Sequence, residues 1–564
     1  ASSGDALQIW PGFYPEMVNI EKPLVITGNS TTDVLLKGTG DDYVIDIDAD
    51  SVTIRNLTVL DGRGLYLDKL SNDVTLEWLV IHNSSINGIY AFQNDNLAFS
   101  NLTVTNSSEQ GIVFYKTTSS VVSDCAVSNS GGSGITVEDA YSVELHRITL
   151  TGNGGSGIRL DKSDSISVRD SWIFDNRRNP GWWEVWSTNT DGLVMDNVTI
   201  SGMGLVLLVD NEQAHLSNLT LEITLDSGYG IYLEKSDSNT LRDILVSADG
   251  VLASGIVLED SDDNLLINCT VSDAFHEAFH LRNSANDNTI LDSVASGGYY
   301  ARFAVWVASG TVVRNSTFSG AGSESGISLI SAPGTTLDNV TSKDNGVATD
   351  HDGLSVSSSN GLLVKNSYFS NNAGRGAYIF NSDNVVIYSN QFDSNAHGLV
   401  LWTVDNARAS YNSFEIGDGN AIELRYGSNS WIDNNTIEQY GNDASQNFGI
   451  GVYFSDWNRI HNNTVSDSEV TGILLGDDAE FNYVTENELT RIENSALHII
   501  HDNNYLARNT LSETESTGIT IEGDWNDIVD NVVTDGEASG IEVFGRNNQI
   551  AGNNISGNSD IPFR

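Results

Sequence analysis

A phrase close to Gly-Ile-x-Leu returns about every 22 or 23 residues along most of the chain, and no other feature narrows the fold as far. It is read at Gly88-Ile89, Gly111-Ile112, Gly134-Ile135 and Gly157-Ile158, and again at Gly230-Ile231, Gly255-Ile256, Gly326-Ile327, Gly472-Ile473, Gly518-Ile519 and Gly540-Ile541. A fixed period of this size denotes a solenoid, whose repeats each pack only on their neighbours.

Two asparagine columns keep the same step: Asn458, Asn482, Asn504, Asn526 and Asn548, then Asn463, Asn487, Asn509, Asn531 and Asn553. Between them lie alternating stretches such as Ile519-Thr520-Ile521, the period-two pattern of a strand with one buried face. Short strands cannot bury that face alone. Stacked in register at about 4.8 Å they form one continuous apolar core, which makes the expected fold an all-β parallel β-helix of about 22 coils. The asparagines are expected at tight turns in left-handed backbone, bonding to the asparagine one coil away. Leucine-rich repeats share the period, but their helical half is absent.

The repeat runs from about residue 40 to 550 without a Pro-rich or charged linker, so 1–564 is expected to form one continuous domain with a loop insertion near 176–190. Six prolines in 564 residues suit strands held inside ladders that proline would break. With 27 Lys and Arg against 76 Asp and Glu, the net charge of −49 disfavours nucleic acid and anionic lipid as partners. Acidic turns at Asp41-Asp42, Asp262-Asp263 and Asp477-Asp478 are weak candidates for Ca²⁺, but no EF-hand spacing supports a metal or other cofactor. No run of 18 apolar residues spans a membrane. Cys125 and Cys269 sit five or six coils apart, too far for a disulfide, and read as small core residues. A start at Ala1 without Met suits a mature secreted product.

Thirteen Asn-x-Ser/Thr sequons occur, at Asn29, Asn56, Asn83, Asn101, Asn106, Asn197, Asn218, Asn268, Asn315, Asn339, Asn434, Asn462 and Asn554. Several share one repeat position. Either a glycan stripe runs down one corner, or these are buried ladder asparagines whose Thr suits a strand.

The opening residues Gly4-Asp5-Ala6-Leu7-Gln8-Ile9-Trp10-Pro11-Gly12-Phe13-Tyr14-Pro15-Glu16 and Ile20-Glu21-Lys22-Pro23-Leu24-Val25-Ile26-Thr27-Gly28 resemble the first coils of NosD-like and pectin-lyase-like right-handed β-helix proteins. The resemblance covers essentially the whole chain and implies a single-stranded right-handed parallel β-helix. It says little about activity, because that group includes lyases, hydrolases, epimerases, copper-site accessory proteins and surface proteins. Such proteins usually begin with a capping helix, which this sequence lacks before its first coil. Uncapped coil ends would favour head-to-tail stacking.

Three places depart from the plain repeat. Asn189-Thr190-Asp191-Gly192 resembles a motif of polygalacturonase-like glycosidases, with Asp210 and Glu212 as further carboxylates, but the accompanying His and Arg motifs fail at Gly228-Tyr229-Gly230 and Leu233-Glu234-Lys235. Asp350-His351-Asp352-Gly353 partly resembles the Asp-Pro-His-Asp motif of alginate epimerase-like β-helices, with Thr349 and Asp350 at the Asp and Pro positions. The insertion carries Arg177, Arg178, Trp182, Trp183 and Trp186, residue types that stack sugars or anchor interfaces, and Tyr299 to Trp306 would extend that surface.

With no complete catalytic set, the expectation is a secreted, glycosylated, structural cell-surface protein. It would self-associate head to tail or laterally into a sheath, surface layer or filament, as repeat-rich archaeal surface proteins do. The alternative is an extracellular carbohydrate-active enzyme (polyuronate hydrolase, lyase or epimerase) or a polysaccharide-binding protein.

Overall fold

The computed structural model describes residues 1–564 apart from Leu70, 177–182, 225–227, 249–251, 442–446 and 561–563. Every regular element among the described residues is a strand. The chain clusters into two compact units, Ala1–Phe275 and His276–Arg564, each built as a parallel β-solenoid.

One coil of the first unit shows the plan. Strand Ile89–Phe92 opens it, Ala98–Ser100 follows, and Thr103–Thr105 completes it. Each pairs in parallel with its equivalent 23 residues on: Ile89 with Ile112, Phe99 with Val122, Val104 with Val127. In the second unit the coil Leu497–Ile499, Tyr505–Ala507, Thr510–Ser512 repeats the plan, and Leu497 pairs with Ile519. Eleven strands of the opening type lie in the first unit and twelve in the second, among the described residues.

Alternate side chains point inward and are fully buried: Ile89, Ile112, Ile135 and Ile158 form one row. Each such side chain contributes about 1.5–3 kcal/mol of burial. Phe369, Phe392 and Phe414 stack inside the second unit with centroids 5.2 and 4.7 Å apart. Where a glycine precedes the opening strand, close approach requires it. A Cβ on Gly88 would lie 2.7 Å from the carbonyl oxygen of Gly111, and one on Gly111 would lie 2.6 Å from that of Gly134.

Both asparagine columns are ladders, buried except at their last rungs, Asn548 and Asn553. Asn463 donates through its backbone N–H and its side-chain Nδ2 to Oδ1 of Asn487, at 2.9 and 3.0 Å, and Asn487 does the same to Asn509. Their backbone differs from expectation: the left-handed residue is the one before each ladder asparagine, as at Asn462, Glu486, Arg508 and Asp530. The ladder amide faces inward and the corner residue faces out, so the strain falls on whatever residue the corner carries, including Trp457 and Trp525.

That offset rules out buried ladder positions for the sequon asparagines. Eleven of the thirteen sequon asparagines, all but Asn29 and Asn554, occupy left-handed corners. None of the thirteen is buried. At Asn101, Asn268, Asn315, Asn339, Asn434 and Asn462 the buried residue follows and the Thr opens the next strand, so there the coil geometry itself accounts for Asn-x-Thr. Cys125 and Cys269 fill the same buried position after a corner; neither is in a disulfide, and burial pushes their thiols up to about 12.

Candidate functional site

On most coils the residue before the repeat glycine is small or an amide, as at Ser133, Ser156, Ser325 and Thr517. On three successive coils of the second unit it becomes Asp352, Arg375 and His397, and Asn420 follows. The edge of the opening strands therefore carries a row of chemistry-bearing groups at one-coil spacing, about 4.8 Å.

Asp352 is 1% exposed. Its Oδ1 accepts from the Arg375 backbone N–H at 2.8 Å and from Arg375 Nε at 2.9 Å, while its own N–H donates to Ser325 Oγ at 3.0 Å. Burial pushes its carboxyl up to about 6, against the opposing pull of Arg375. The Arg375 guanidinium lies 4.0 Å from the Tyr378 ring centroid. Burial raises the Tyr378 phenol, with Asp352 and Glu423 adding to the effect and Arg375 opposing it.

A second charged pair lies two coils on, about 10 Å along the axis. Glu423, 8% exposed, accepts from Arg425 Nε at 2.6 Å and from Asn420 Nδ2 at 2.9 Å. Arg425 lies over the Trp402 and Tyr453 rings, at 5.3 and 4.6 Å. Tyr378 and Glu423 share one outward column of the sheet, and Phe380, Trp402, Arg425 and Tyr453 the next. Both guanidiniums are thus fixed at Nε by a buried carboxylate, and their terminal Nη groups make no hydrogen bond among the described residues.

The histidines here are acceptors at Nδ1. His351 Nδ1 accepts the N–H groups of Val347 and Ala348 at 3.1 and 3.3 Å, and His397 Nδ1 accepts that of Asn420 at 3.0 Å. Each neutral ring then carries its proton on Nε2. Burial lowers the His397 pKa, with Glu423 opposing. Asp350 is well exposed, with Oδ1 at 3.6 Å from His351 Nε2. Half-buried Glu324, one coil before His351, is raised by burial and by Glu277.

The other segments singled out from sequence are placed differently. Asp191 and Glu212 are successive rungs of an exposed corner ladder: the Asp191 N–H donates to Asp164 Oδ1 at 3.2 Å, and the Glu212 N–H to Asp191 Oδ1 at 3.1 Å. Asp405 plays the same part for Ser428 at 2.7 Å. Asp210 is an exposed left-handed corner whose N–H bonds to the Glu234 carbonyl at 3.0 Å. Arg177, Arg178 and Trp182 lie outside the described residues. Trp183 stacks on Tyr229 and Tyr232, at 5.8 and 6.1 Å, and Trp186 stands outward between Arg159 and Leu207; both are half-buried against the solenoid. Arg302 is no surface arginine. It is fully buried, with Nε bonded to the Tyr300 carbonyl at 2.9 Å.

A right-handed β-helix family model matches residues 43–190, 183–321 and 301–442, which together span 43–442. The chain belongs to the right-handed β-helix family. Residues 397–561 of this β-helix protein also match the model described as a periplasmic copper-binding protein, NosD, in keeping with the NosD-like and pectin-lyase-like resemblance of its repeats. No curated protein matches the sequence. Solved structures similar to it include the A-module of a mannuronan C-5 epimerase from Azotobacter vinelandii, at 14% identity over 59% of this chain and 88% of that one, TM-score 0.29. An alginate lyase from Paenibacillus sp. matches at 12% over 45% and 89%, TM-score 0.29. Tailspike protein 2 of bacteriophage CBA120 matches at 11% over 49% and 43%, TM-score 0.33.

The copper implied by that family name does not fit the residues present. Among the described residues no three His, Cys, Asp or Glu side chains converge as metal ligands, and His397, inside the matched region, spends Nδ1 on Asn420. The acidic turns at Asp41, Asp262 and Asp477 likewise form no such cluster. No helix among the described residues is long and apolar enough to cross a membrane.

Proposed function

We propose that this β-helix protein is an extracellular, cell-surface protein that binds uronic-acid-containing polysaccharide along the outward face of its second unit. The observation that carries this reading is the pair of guanidiniums, Arg375 and Arg425, each locked at Nε by a buried carboxylate and each lying over aromatic rings. Free Nη donors in a fixed fork suit sugar carboxylates, and Tyr378, Phe380, Trp402 and Tyr453 supply faces for pyranose rings. The arrangement serves binding better than hydrolysis. Asp352 and Glu423 are three coils apart, about 14 Å, beyond the 6.5–9.5 Å of inverting and the ~5 Å of retaining glycosidase carboxylates. Affinity electrophoresis through gels cast with polyuronates or neutral glycans tests it: retardation specific to polyuronate is expected, and unretarded migration in every gel refutes it.

Self-assembly into a sheath or filament is the second reading. It is supported by exposed aromatic rows on the second unit: Trp457 stacks on Phe481 at 4.7 Å, and Arg459 lies over Trp431 at 4.6 Å. Electron microscopy of concentrated protein should then show ordered polymers, and Trp457→Ala should dissolve them.

A further inference from the structure

The first unit carries a groove of about 580 Å³ on its outer face. Trp78 and Trp172, four coils apart, both line it, 55% and 53% exposed. Thr103, Ala126 and Thr149 form its floor, paired in successive coils that lead to Trp172. Along one side Arg147 grips Asp124, Nε to Oδ1 at 2.6 Å and Nη2 to Oδ2 at 2.7 Å.

A complete sequon lines this groove: Asn101, Leu102 and Thr103. Asn101 occupies the left-handed corner of the coil directly after the one whose corner is Trp78. Its amide nitrogen differs from those of most sequons. Nδ2 of Asn197 is held by Asp170 at 2.6 Å, that of Asn268 by Asp243 at 2.6 Å, that of Asn315 by Asp292 at 3.0 Å and that of Asn462 by Asn434 at 2.7 Å. Asn101 Nδ2 makes no hydrogen bond among the described residues. Asn29, Asn56 and Asn554 share that freedom but do not line the groove.

We propose that Asn101 carries an N-linked glycan that lies in this groove, its root sugar beside Trp78 and its outer sugars crossing Ala126 and Thr149 to stack on Trp172. The inference rests on the extracellular reading above. The indoles supply flat apolar faces, and the Arg147–Asp124 pair supplies donors and acceptors for hydroxyls. The attachment consumes a lipid-pyrophosphate-activated oligosaccharide and is catalysed by a transferase of the secretory route. A bond forms between Nδ2 and the anomeric carbon, the bond from that carbon to pyrophosphate breaks with its electron pair, and Nδ2 gives one proton to the transferase's base. Three coils, about 14 Å, separate the Thr103 and Trp172 coils, enough for several sugars.

The test is the full chain secreted from a glycosylating host, with occupancy of every sequon read by glycopeptide mass spectrometry. Expected is a modified Asn101 whose glycan is released from the native fold by peptide-N-glycosidase about tenfold more slowly than from the exposed variant Trp172→Ala. Acrylamide quenching of tryptophan should also be stronger in Asn101→Gln than in wild type. Asn101 found unmodified overturns the proposal, as does release or quenching indifferent to these substitutions. So does protection of the indoles by added free oligosaccharide alone, which would make the groove a site for an external sugar and leave the second-unit reading untouched.

Discussion

Arg375 brings its backbone N–H and its guanidinium Nε to one oxygen of Asp352, at 2.8 and 2.9 Å. The carboxyl is still pushed up to about 6, because burial outweighs that pairing. Below pH 3.8 Asp352 is protonated in both folded and unfolded chains. Between 3.8 and about 6 the unfolded chain releases the proton and the folded chain keeps it, so stability falls as pH rises, by about 3 kcal/mol for two pKa units. The thermal midpoint of wild type relative to Asp352→Asn should therefore fall between pH 3.5 and 7. A difference independent of pH would contradict the buried-acid reading.

The ladder and its corners should respond oppositely. Asn487→Ala removes one rung and takes the Oδ1 acceptor away from the N–H and Nδ2 of Asn463 in the core, at a cost of about 1–3 kcal/mol. Urea unfolding monitored by circular dichroism reads this directly.

Val307 has φ of 57° at an exposed corner, a conformation that a β-branched side chain resists. Val307→Asn should stabilise the second unit by about 1 kcal/mol, seen as a higher thermal midpoint.

Gly111→Ala places a Cβ 2.6 Å from the Gly134 carbonyl and should cost about 1–3 kcal/mol. Gly40→Ala, with open space around its Cβ, should be neutral by the same unfolding measurement.

The period made the solenoid legible because one register fixes every coil: Gly88, the Ile89 row and the Asn463 ladder all follow from it. The corner position was one residue off, since Asn462 and Asn463 are adjacent asparagines with opposite duties, and only backbone angles separate them. The site was half visible. Asp350 to Asp352 stood out as a motif, whereas Arg375 and His397 were scattered until aligned by register. Reading the residue before each repeat glycine as a column would have assembled them. Arg425 and Trp402 gave no local signal, because an outward position on a strand constrains neither residue.

Calorimetric titration of a defined uronic-acid oligosaccharide tests the binding face most directly. Wild type should bind, and Trp402→Ala/Arg425→Gln should bind at least about tenfold more weakly, a loss of about 1.4 kcal/mol or more, while Trp172→Ala leaves the affinity unchanged. Equal binding by the double variant, or no binding by wild type, would contradict a polysaccharide site at Arg375 and Arg425.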